Sequence, residues 1–146
     1  MWSIKSFNEL SREELFFILK ARVDVFVVEQ ECAYPEIDDL DLEATHIFQM
    51  DEKGIHAYCR VIPTEIMTKI GRVLVTEEFR SSGLGRDLVT VALDYCQKEF
   101  PDRPVYAQAQ AYLEDFYRSF GFKPTSDVYL EDDIPHIDMM KETVDN

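Results

Sequence analysis

The chain has 146 residues, enough for one domain with a sizeable core, and its 46% hydrophobic content excludes an intrinsically disordered protein. A formal net charge of −14 disfavours nucleic acid and anionic membranes as partners; it attracts cationic molecules such as amines, or simply keeps the protein in solution. No apolar run approaches the roughly 20 residues that span a bilayer and no signal peptide is visible, so we expect a cytoplasmic protein with a single domain over residues 1–146.

The first predicted helix begins at Ser11. Ser11 and Glu14 form a capping box, and the apolar residues after them recur with helical spacing. Arg22 lies within this apolar stripe. Either Arg22 forms an ion pair with Glu29 or Asp38, or one of Arg22 and Glu29 lines a binding site.

The segment 34–43 is rich in carboxylates and has no strong periodicity. Its residues do not match the offsets of an EF-hand calcium loop. Cys32, Cys59 and Cys96 are far apart and form no Cys-x-x-Cys pair, which indicates reduced thiols. We expect a solvated acidic loop and no metal cofactor; a rim that attracts an amine, or a metal site, is the alternative.

Three strand-like runs follow, at residues 45–50, 55–62 and 69–75. A glycine turn separates the first two, which is typical of an antiparallel meander. His46 lies in the first run, where a histidine is either packed in the core or available as a base near neutral pH.

A strand, a short glycine-containing loop and a helix occupy residues 73–88. The N–H groups at a helix N-terminus have no intrahelical partner, and with the helix dipole they form an anion site. Glycine at 83 and 85 lets an anion approach the backbone, and Arg80 adds a guanidinium suited to phosphate oxygens. The predicted ligand is a pyrophosphate. The residues expected around it are Arg80, Ser81, Ser82, Gly83, Leu84, Gly85 and Arg86.

Two common pyrophosphate motifs do not fit this segment. A Walker motif requires lysine and then serine or threonine after its second glycine, whereas Arg86 and Asp87 follow Gly85. A dinucleotide fingerprint requires a third glycine where this chain has Leu88, and the βαβαβ repetition is missing. A nucleoside triphosphatase and a nicotinamide-binding protein are both disfavoured.

After this helix, residues 105–110 are predicted to form a strand parallel to residues 72–75, because a helical crossover joins them. A helix over residues 113–120 should end at Gly121. The tail, residues 127–140, alternates in polarity like a closing hairpin.

In the predicted helix over residues 113–120, Phe116 and Phe120 are four residues apart, so we expect them on the core face. Tyr117 is then rotated by about one hundred degrees and is expected to face a cleft. A tyrosine at this position either packs in the interior or supplies a phenol to a reaction.

Two segments together indicate a family. Arg80-Ser-Ser-Gly-Leu-Gly85, directly after a strand, resembles the acetyl-CoA loop of the GCN5-related N-acetyltransferase (GNAT) superfamily. Residues 111–122 resemble the helix that this family places beside the CoA sulfur. Residues 22–30, 38–46 and 134–139 are similar to its ElaA-like branch. The implied fold is α/β, with a central, mostly antiparallel sheet, one splayed parallel strand pair and flanking helices.

The resemblance implies an N-acetyltransferase that uses acetyl-CoA as co-substrate and transfers its acetyl group directly to a primary amine in a ternary complex. Tyr117 is the implied general acid toward the CoA thiolate. The base that deprotonates the amine is Glu29, His46 or a relayed water, and the residues leave this choice open. The Val75 N–H is the implied oxyanion donor. The implied contacts of the pantetheine arm are Val73, Leu74 and Val75.

The acceptor is a small-molecule or peptide amine that the sequence does not define. The same fold can bind acyl-CoA without catalysis, as a sensor or interaction module. The presence of Tyr117 favours an enzyme, because a sensor needs no proton donor at the sulfur. A homodimer formed through an exposed strand edge is a further expectation.

Overall fold

A computed structural model describes residues 1–143 and shows one mixed sheet with helices on both faces. The strands lie in the order β1-β2-β3-β4-β5-β8-β6, and β7 pairs with β8 beside β6. All neighbours are antiparallel except β4 and β5. The strands are β1 (Ser3–Ser6), β2 (Thr45–Asp51), β3 (Gly54–Pro63), β4 (Thr68–Val75), β5 (Val105–Gln110), β6 (Lys123–Pro124), β7 (Tyr129–Glu131) and β8 (Ile134–Lys141).

Three α-helices flank the sheet: α1 (Arg12–Arg22), α2 (Leu84–Glu99) and α3 (Glu114–Arg118). The predicted capping box is confirmed at α1, where the Glu14 N–H donates to Ser11 Oγ (3.0 Å) and the Ser11 N–H donates to Glu14 Oε1 (2.8 Å). A wider π-helical segment, Val23–Glu29, extends α1. No helix within residues 1–143 is long and apolar enough to cross a membrane.

Two apolar clusters pack against opposite faces of the sheet. Helix α1 packs Ile18 and Ala21 against Phe48, Tyr58 and Leu74, which defines the α1 face. The other face, the α2 face, carries the larger cluster and is covered by α2 and α3. Its sheet residues include Ile47, Ala57, Cys59, Ile70, Ala107, Ala109, Ile137 and Met139. The alternation of strand side chains therefore assigns Tyr106, Gln108 and Gln110 of β5, and His136, Asp138 and Met140 of β8, to the α1 face.

The parallel pair β4–β5 is short. Pairing runs from Thr68↔Val105 to Ile70↔Ala107 and then stops, although β4 continues to Val75 and β5 to Gln110. The expected parallel direction and splay are thus confirmed, and the paired residues lie at the beginning of β4 instead of at 72–75. The result is a gap between the last residues of the two strands.

A β-bulge interrupts β4 beside this gap. Tyr58 pairs with Leu74 and Arg60 pairs with Gly71, so two residues of β4 lie opposite Cys59 alone. One of the two, Arg72, has a left-handed φ of 51°. The extra residue directs the Arg72 side chain to the α1 face and increases the local bend.

Candidate active site

The last residues of β4 direct main-chain groups into the gap between β4 and β5. The Thr76 N–H donates to the His56 carbonyl of β3 at 3.0 Å. Because successive N–H groups of a regular strand point to opposite sides, the Val75 N–H points away from β3 and into the gap. It is available to an extended ligand that binds as an additional strand.

The loop predicted to bind a pyrophosphate leads directly into the start of α2. Gly83 is the N-cap residue of α2 and has a left-handed φ of 82°. The left-handed φ favours glycine at this position. A Cβ at Gly83 would have no heavy atom within 4 Å, so the surroundings leave room for an anion. The first intrahelical bond joins the Asp87 N–H to Gly83 O (3.2 Å). The preceding N–H groups of α2 are therefore free of helical partners.

Arg80 connects this loop with the extension of α1. Its Nε donates to Val75 O at 2.8 Å, and an Nη donates to Glu29 Oε2 at 2.7 Å. Two residues proposed for different roles, Arg80 and Glu29, thus form an ion pair beside the end of β4. Both side chains are partly exposed, at 42% and 34%, so the pair is accessible to a ligand.

The remaining side chains of the loop support its shape. Ser81 has a left-handed φ of 66°, and Ser82 Oγ donates to Phe79 O at 2.6 Å. Arg86, in the first turn of α2, contacts the residues that follow α3: its guanidinium lies 4.5 Å from the Phe120 ring centre and donates to Ser119 Oγ at 2.9 Å. These contacts attach α3 to the beginning of α2.

Tyr117 lies inside the α2-face cluster and is 4% exposed. Burial raises the pKa of its phenol, and the neighbouring Cys59 and Tyr112 raise it further. No hydrogen bond from the hydroxyl to residues 1–143 is found. Cys59, which affects the pKa of this phenol, lies opposite the bulge of β4. A neutral phenol in an apolar environment is suited to donate a proton to a thiolate.

One of the expected faces of α3 is wrong. Phe116 and Phe120 pack against the core cluster as expected and are partly buried, whereas Tyr117, expected to face a cleft, is buried within the cluster. The helix proper is also shorter than predicted, since Ala111–Leu113 forms a 3-10 turn before it. Gly121 ends the region with a left-handed φ of 96°, as expected.

His46 is 1% exposed, and both of its ring nitrogens are engaged. Nδ1 lies 2.6 Å from the Tyr58 hydroxyl and Nε2 lies 3.0 Å from the Asp41 carbonyl. Burial lowers the pKa of the ring, which keeps it neutral. The role of His46 as a base stays a prediction, but its surroundings are those of a structural histidine.

A buried ionic cluster occupies the α1 face between α1 and β3. Arg22 is 1% exposed and donates to Glu36 and Asp41, at 2.7 Å in each case. Arg60 donates to Asp38 (2.7 Å) and Asp41 (2.9 Å). We call Arg22, Arg60 and Arg72 with Glu36, Asp38 and Asp41 the arginine cluster.

The arginine cluster corrects two expectations. An ion pair of Arg22 is present, but its partners are Glu36 and Asp41 instead of Glu29 or Asp38. The segment 34–43 is not a fully solvated loop, because Glu36 and Asp41 are 3% and 6% exposed. Within residues 1–143, no group of three or more His, Cys, Asp or Glu side chains is arranged to hold a metal ion.

Arg72 extends the cluster toward the gap. Its guanidinium donates to Glu36 O at 2.8 Å and lies 5.5 Å from the centre of the Tyr34 ring. Arg72 and Tyr34 thus border the open part of the α1 face. The bulge of β4 makes this contact possible, because it turns the Arg72 side chain toward this face.

Beyond β4, the α1 face becomes a polar floor formed by β5, β7 and β8. Asp138 lies opposite Gln108 in the β5–β8 pairing. The Tyr129 hydroxyl donates to Asp138 Oδ1 at 2.5 Å and accepts from Gln108 Nε2 at 2.7 Å. Tyr106 is on the same face, two residues before Gln108. We call Tyr106, Gln108, Tyr129 and Asp138 the tyrosine–aspartate cluster.

Sequence reasoning did not select the tyrosine–aspartate cluster as a site. The alternation in the tail correctly placed Asp138 and His136 on the face opposite Ile137 and Met139. The signal that would have identified the cluster is the register between β5 and β8, which no local pattern contains.

A turn of the β7–β8 hairpin closes one side of this floor. Asp132 and Asp133 have left-handed φ values of 50° and 64°, and the Asp132 carbonyl lies 3.6 Å from Cys32 Sγ. Near the same end of the floor, where Gln110 pairs with His136, Gln110 Nε2 donates to Gln30 Oε1 at 3.2 Å. The segment after α1 therefore forms a wall over the polar floor.

Comparisons with known proteins agree with this geometry. A family model described as an acetyltransferase (GNAT) domain matches residues 8–143. Protein ElaA of Escherichia coli is 41% identical over 98% of this chain and 97% of its own length. Its crystal structure superposes with a TM-score of 0.93, covering 97% of this chain and 99% of that one.

Two further relatives are similar over nearly their whole length. A UPF0039 protein of Schizosaccharomyces pombe is 45% identical over 94% of each chain. An acyl-CoA N-acyltransferase from Pseudomonas aeruginosa is 40% identical and superposes with a TM-score of 0.91, covering 97% of this chain and 98% of that one.

Proposed function

Since the chain belongs to the ElaA-like branch of the GNAT acyltransferase family, we propose that it transfers an acetyl group from acetyl-CoA to a primary amine in a ternary complex. Family membership supports acyl-CoA-dependent N-acyl transfer as the general activity. The acetyl specificity, the direct transfer and the residue roles are proposed in addition to this general activity.

The gap between β4 and β5 is the observation that carries the proposal. It exposes the main-chain N–H group of Val75 and leads to the free N-terminus of α2 at Gly83. An extended arm with amide groups can pair with β4, while its pyrophosphate meets the α2 N–H groups. The open surroundings of Gly83 fit such an anion.

The side chains around the gap provide the proton transfers. The amine nitrogen forms a bond to the thioester carbon, the carbon–sulfur bond breaks, and the nitrogen loses a proton. Glu29, at the mouth of the gap, or a water beside it accepts that proton. Tyr117 supplies a proton to the departing sulfur, since burial keeps its phenol protonated. The Val75 N–H is available to the carbonyl oxygen as negative charge develops there.

The two surfaces that flank the gap suggest separate sites for the two reactants. The donor site is built from main-chain groups of β4 and the start of α2. The acceptor site is bordered by the wall after α1 and the polar floor of β5 and β8. Holding both reactants together is expected to provide much of the acceleration, because a thioester is already an activated acyl donor.

Thiol release from acetyl-CoA in the presence of a panel of primary amines tests this function. Calorimetric titration of acetyl-CoA alone measures donor binding separately. We expect binding without an amine, and thiol release only when an amine is present. Identification of the N-acetylated amine by mass spectrometry excludes simple thioester hydrolysis.

Three outcomes would contradict parts of the proposal. Binding of acetyl-CoA without release from any amine would favour a non-catalytic acyl-CoA sensor. Absence of binding would mean that the gap and the loop at Gly83 do not form a CoA site. Equal turnover with longer acyl-CoA molecules would contradict the acetyl specificity alone.

A further inference from the structure

Asp138 differs from the other acidic residues of the α1 face. Glu36, Asp38 and Asp41 are each joined to at least one arginine of the arginine cluster. Within residues 1–143, no lysine, arginine or histidine forms a salt bridge with Asp138, although its side chain is half-buried. A partly desolvated carboxylate without a countercharge is a favourable place for a cation.

The surroundings of Asp138 hold its carboxylate in position. The Tyr129 hydroxyl donates to one oxygen, and Gln108 in turn donates to that hydroxyl. A carboxylate has about four lone-pair sites, so these contacts leave capacity for an ammonium group. Burial and the bond to Asp138 raise the pKa of Tyr129 to about 12, which keeps it a proton donor toward Asp138 at neutral pH.

Aromatic rings border the same carboxylate. Tyr106 lies beside Asp138 on the floor. Burial raises the pKa of the Tyr106 phenol, and the nearby Asp138 raises it further. Tyr129 stacks on His136 at 6.3 Å between ring centres. Aromatic faces attract alkylammonium groups and also contact their methylene chains. The cluster therefore suits an aliphatic amine.

The charged groups near the cluster are few. Lys69 Nζ lies 5.8 Å from the centre of the Tyr106 ring, on an exposed side chain. His136 Nδ1 is engaged by the Ile134 carbonyl at 2.7 Å, and Glu131 adds negative charge near Tyr129. None of these groups therefore gives Asp138 a fixed positive partner.

The position of Asp138 relative to the gap defines what it can bind. Asp138 lies opposite Gln108, which is the first residue of β5 beyond the last β4–β5 pair, and is therefore level with Gly71. Val73 and Val75 lie two and four residues further along β4, or about 7 and 13 Å at the usual rise of a strand. This separation is too large for one ammonium to contact Asp138 while its nitrogen attacks a carbonyl held by Val75.

We propose that Asp138 binds a second cationic group of the acceptor, and that the acceptor is an aliphatic diamine or polyamine. One nitrogen stays protonated at Asp138 between Tyr106 and Tyr129, and the other, as the free amine, reaches the gap. Asp138 has this role only if the acyltransferase function, on which the inference rests, is correct. The acidity of the whole chain attracts such acceptors at long range.

Putrescine and n-butylamine form the decisive probe pair, because they share a four-carbon chain and differ in the second charge. We expect kcat/KM for thiol release to be at least tenfold higher with putrescine. The Asp138→Asn variant should lose this preference, with a tenfold lower value for putrescine and an unchanged value for n-butylamine. Asp102→Asn, in the exposed turn after α2, changes the net charge equally and should behave like the unchanged protein.

Calorimetric titration of putrescine into the protein saturated with CoA measures the same site without turnover. Putrescine should bind at least tenfold more weakly to Asp138→Asn than to the unchanged protein or to Asp102→Asn. An equal fall in kcat/KM for putrescine and n-butylamine in Asp138→Asn, or no preference for putrescine in the unchanged protein, would overturn the inference. Thiol release from putrescine at an unchanged rate in Asp138→Asn would overturn it while leaving the acyltransferase function intact.

Discussion

The α1 face of the sheet carries carboxylates in two different settings. In the arginine cluster, three carboxylates face three guanidinium groups, and the shared charge is buried between α1 and β3. In the tyrosine–aspartate cluster, one carboxylate is held by a phenol and has no cationic partner within residues 1–143. The two clusters belong to the same face, on either side of the gap.

The two clusters are therefore expected to have different roles, one in stability and the other in ligand binding. A buried ion pair is costly to break because each partner is left uncompensated, so the arginine cluster fixes the wall above the sheet. A carboxylate without a partner adds little to stability and is available to a ligand. Stability should therefore depend on one cluster and acceptor choice on the other.

The largest expected effect is on stability, from Arg22→Met. The methionine keeps much of the side-chain volume but leaves Glu36 and Asp41 buried without their guanidinium. We expect the free energy of unfolding to fall by about 3–5 kcal/mol in urea denaturation. Arg12→Met, on the exposed start of α1, should change it by less than about 0.5 kcal/mol. An equal change in the free energy of unfolding in both variants would show that the arginine cluster does not stabilise the fold.

Acidification tests the same cluster by titration. Hydrogen bonds from Arg60 lower the pKa of Asp38; at Asp41, burial acts in the opposite direction but bonds from Arg22 and Arg60 outweigh it. Because these pKa values are lower in the folded state, the stabilisation is complete above about pH 4 and is lost as the pH falls further. Urea denaturation between pH 6 and pH 3 should therefore show a decline that is shallower in Asp38→Asn. A parallel decline in both proteins contradicts the assignment.

Tyr117→Phe tests a residue that belongs to neither cluster. It lies on the α2 face, and loss of its hydroxyl should lower turnover by about 100-fold with little change in acetyl-CoA affinity. Stability should be retained, because the hydroxyl makes no hydrogen bond to residues 1–143. Tyr112→Phe is the matched control, since Tyr112 is 78% exposed. Unchanged turnover would remove Tyr117 from the reaction.

The Glu29–Arg80 pair is intermediate between the clusters, because it is ionic but partly exposed. Arg80→Ala should weaken acetyl-CoA binding by about 1–3 kcal/mol through loss of a charge-assisted contact. Its effect on stability should be below about 1 kcal/mol, as for other exposed ion pairs. Calorimetry and urea denaturation separate the two quantities. If Arg80→Ala unfolds readily but binds acetyl-CoA with unchanged affinity, Arg80 stabilises the fold and does not bind the ligand.

The smallest expected effect comes from Tyr129→Phe. The variant keeps the aromatic ring and removes one hydrogen bond to Asp138, which is worth about 1 kcal/mol. We expect putrescine to bind about fivefold more weakly to the CoA-saturated protein, and n-butylamine turnover to be unchanged. Affinity for putrescine equal to that of the unchanged protein would show that Tyr129 does not position the carboxylate.

Much of the fold was predictable because its signals are local. Ser11 and Glu14 identify the start of α1 within four residues, and the turn before Gly54 identifies the β2–β3 hairpin. The left-handed Gly83 and the helix after it follow from the loop motif. The short strand β1 was missed, since Ser3–Ser6 shows no strong alternation.

The charged contacts were not predictable, because they join residues that are distant in sequence. Arg22 meets Asp41 across 19 positions, and Arg72 meets Glu36 across 36. Local patterns place each of these residues on an element but do not select its partner. The same limitation applies to Asp138, whose surroundings depend on the pairing of β8 with β5.

The gap beside β4 offers main-chain groups, whereas the floor of β5 and β8 offers side chains. A replacement of Val73 or Val75 leaves the N–H groups in place as long as the strand persists. A replacement of Tyr106 or Asp138 changes the chemistry of the floor at once. Mutation can therefore alter the acceptor while the donor is retained, and lineages with this architecture are expected to diverge in acceptor much faster than in donor.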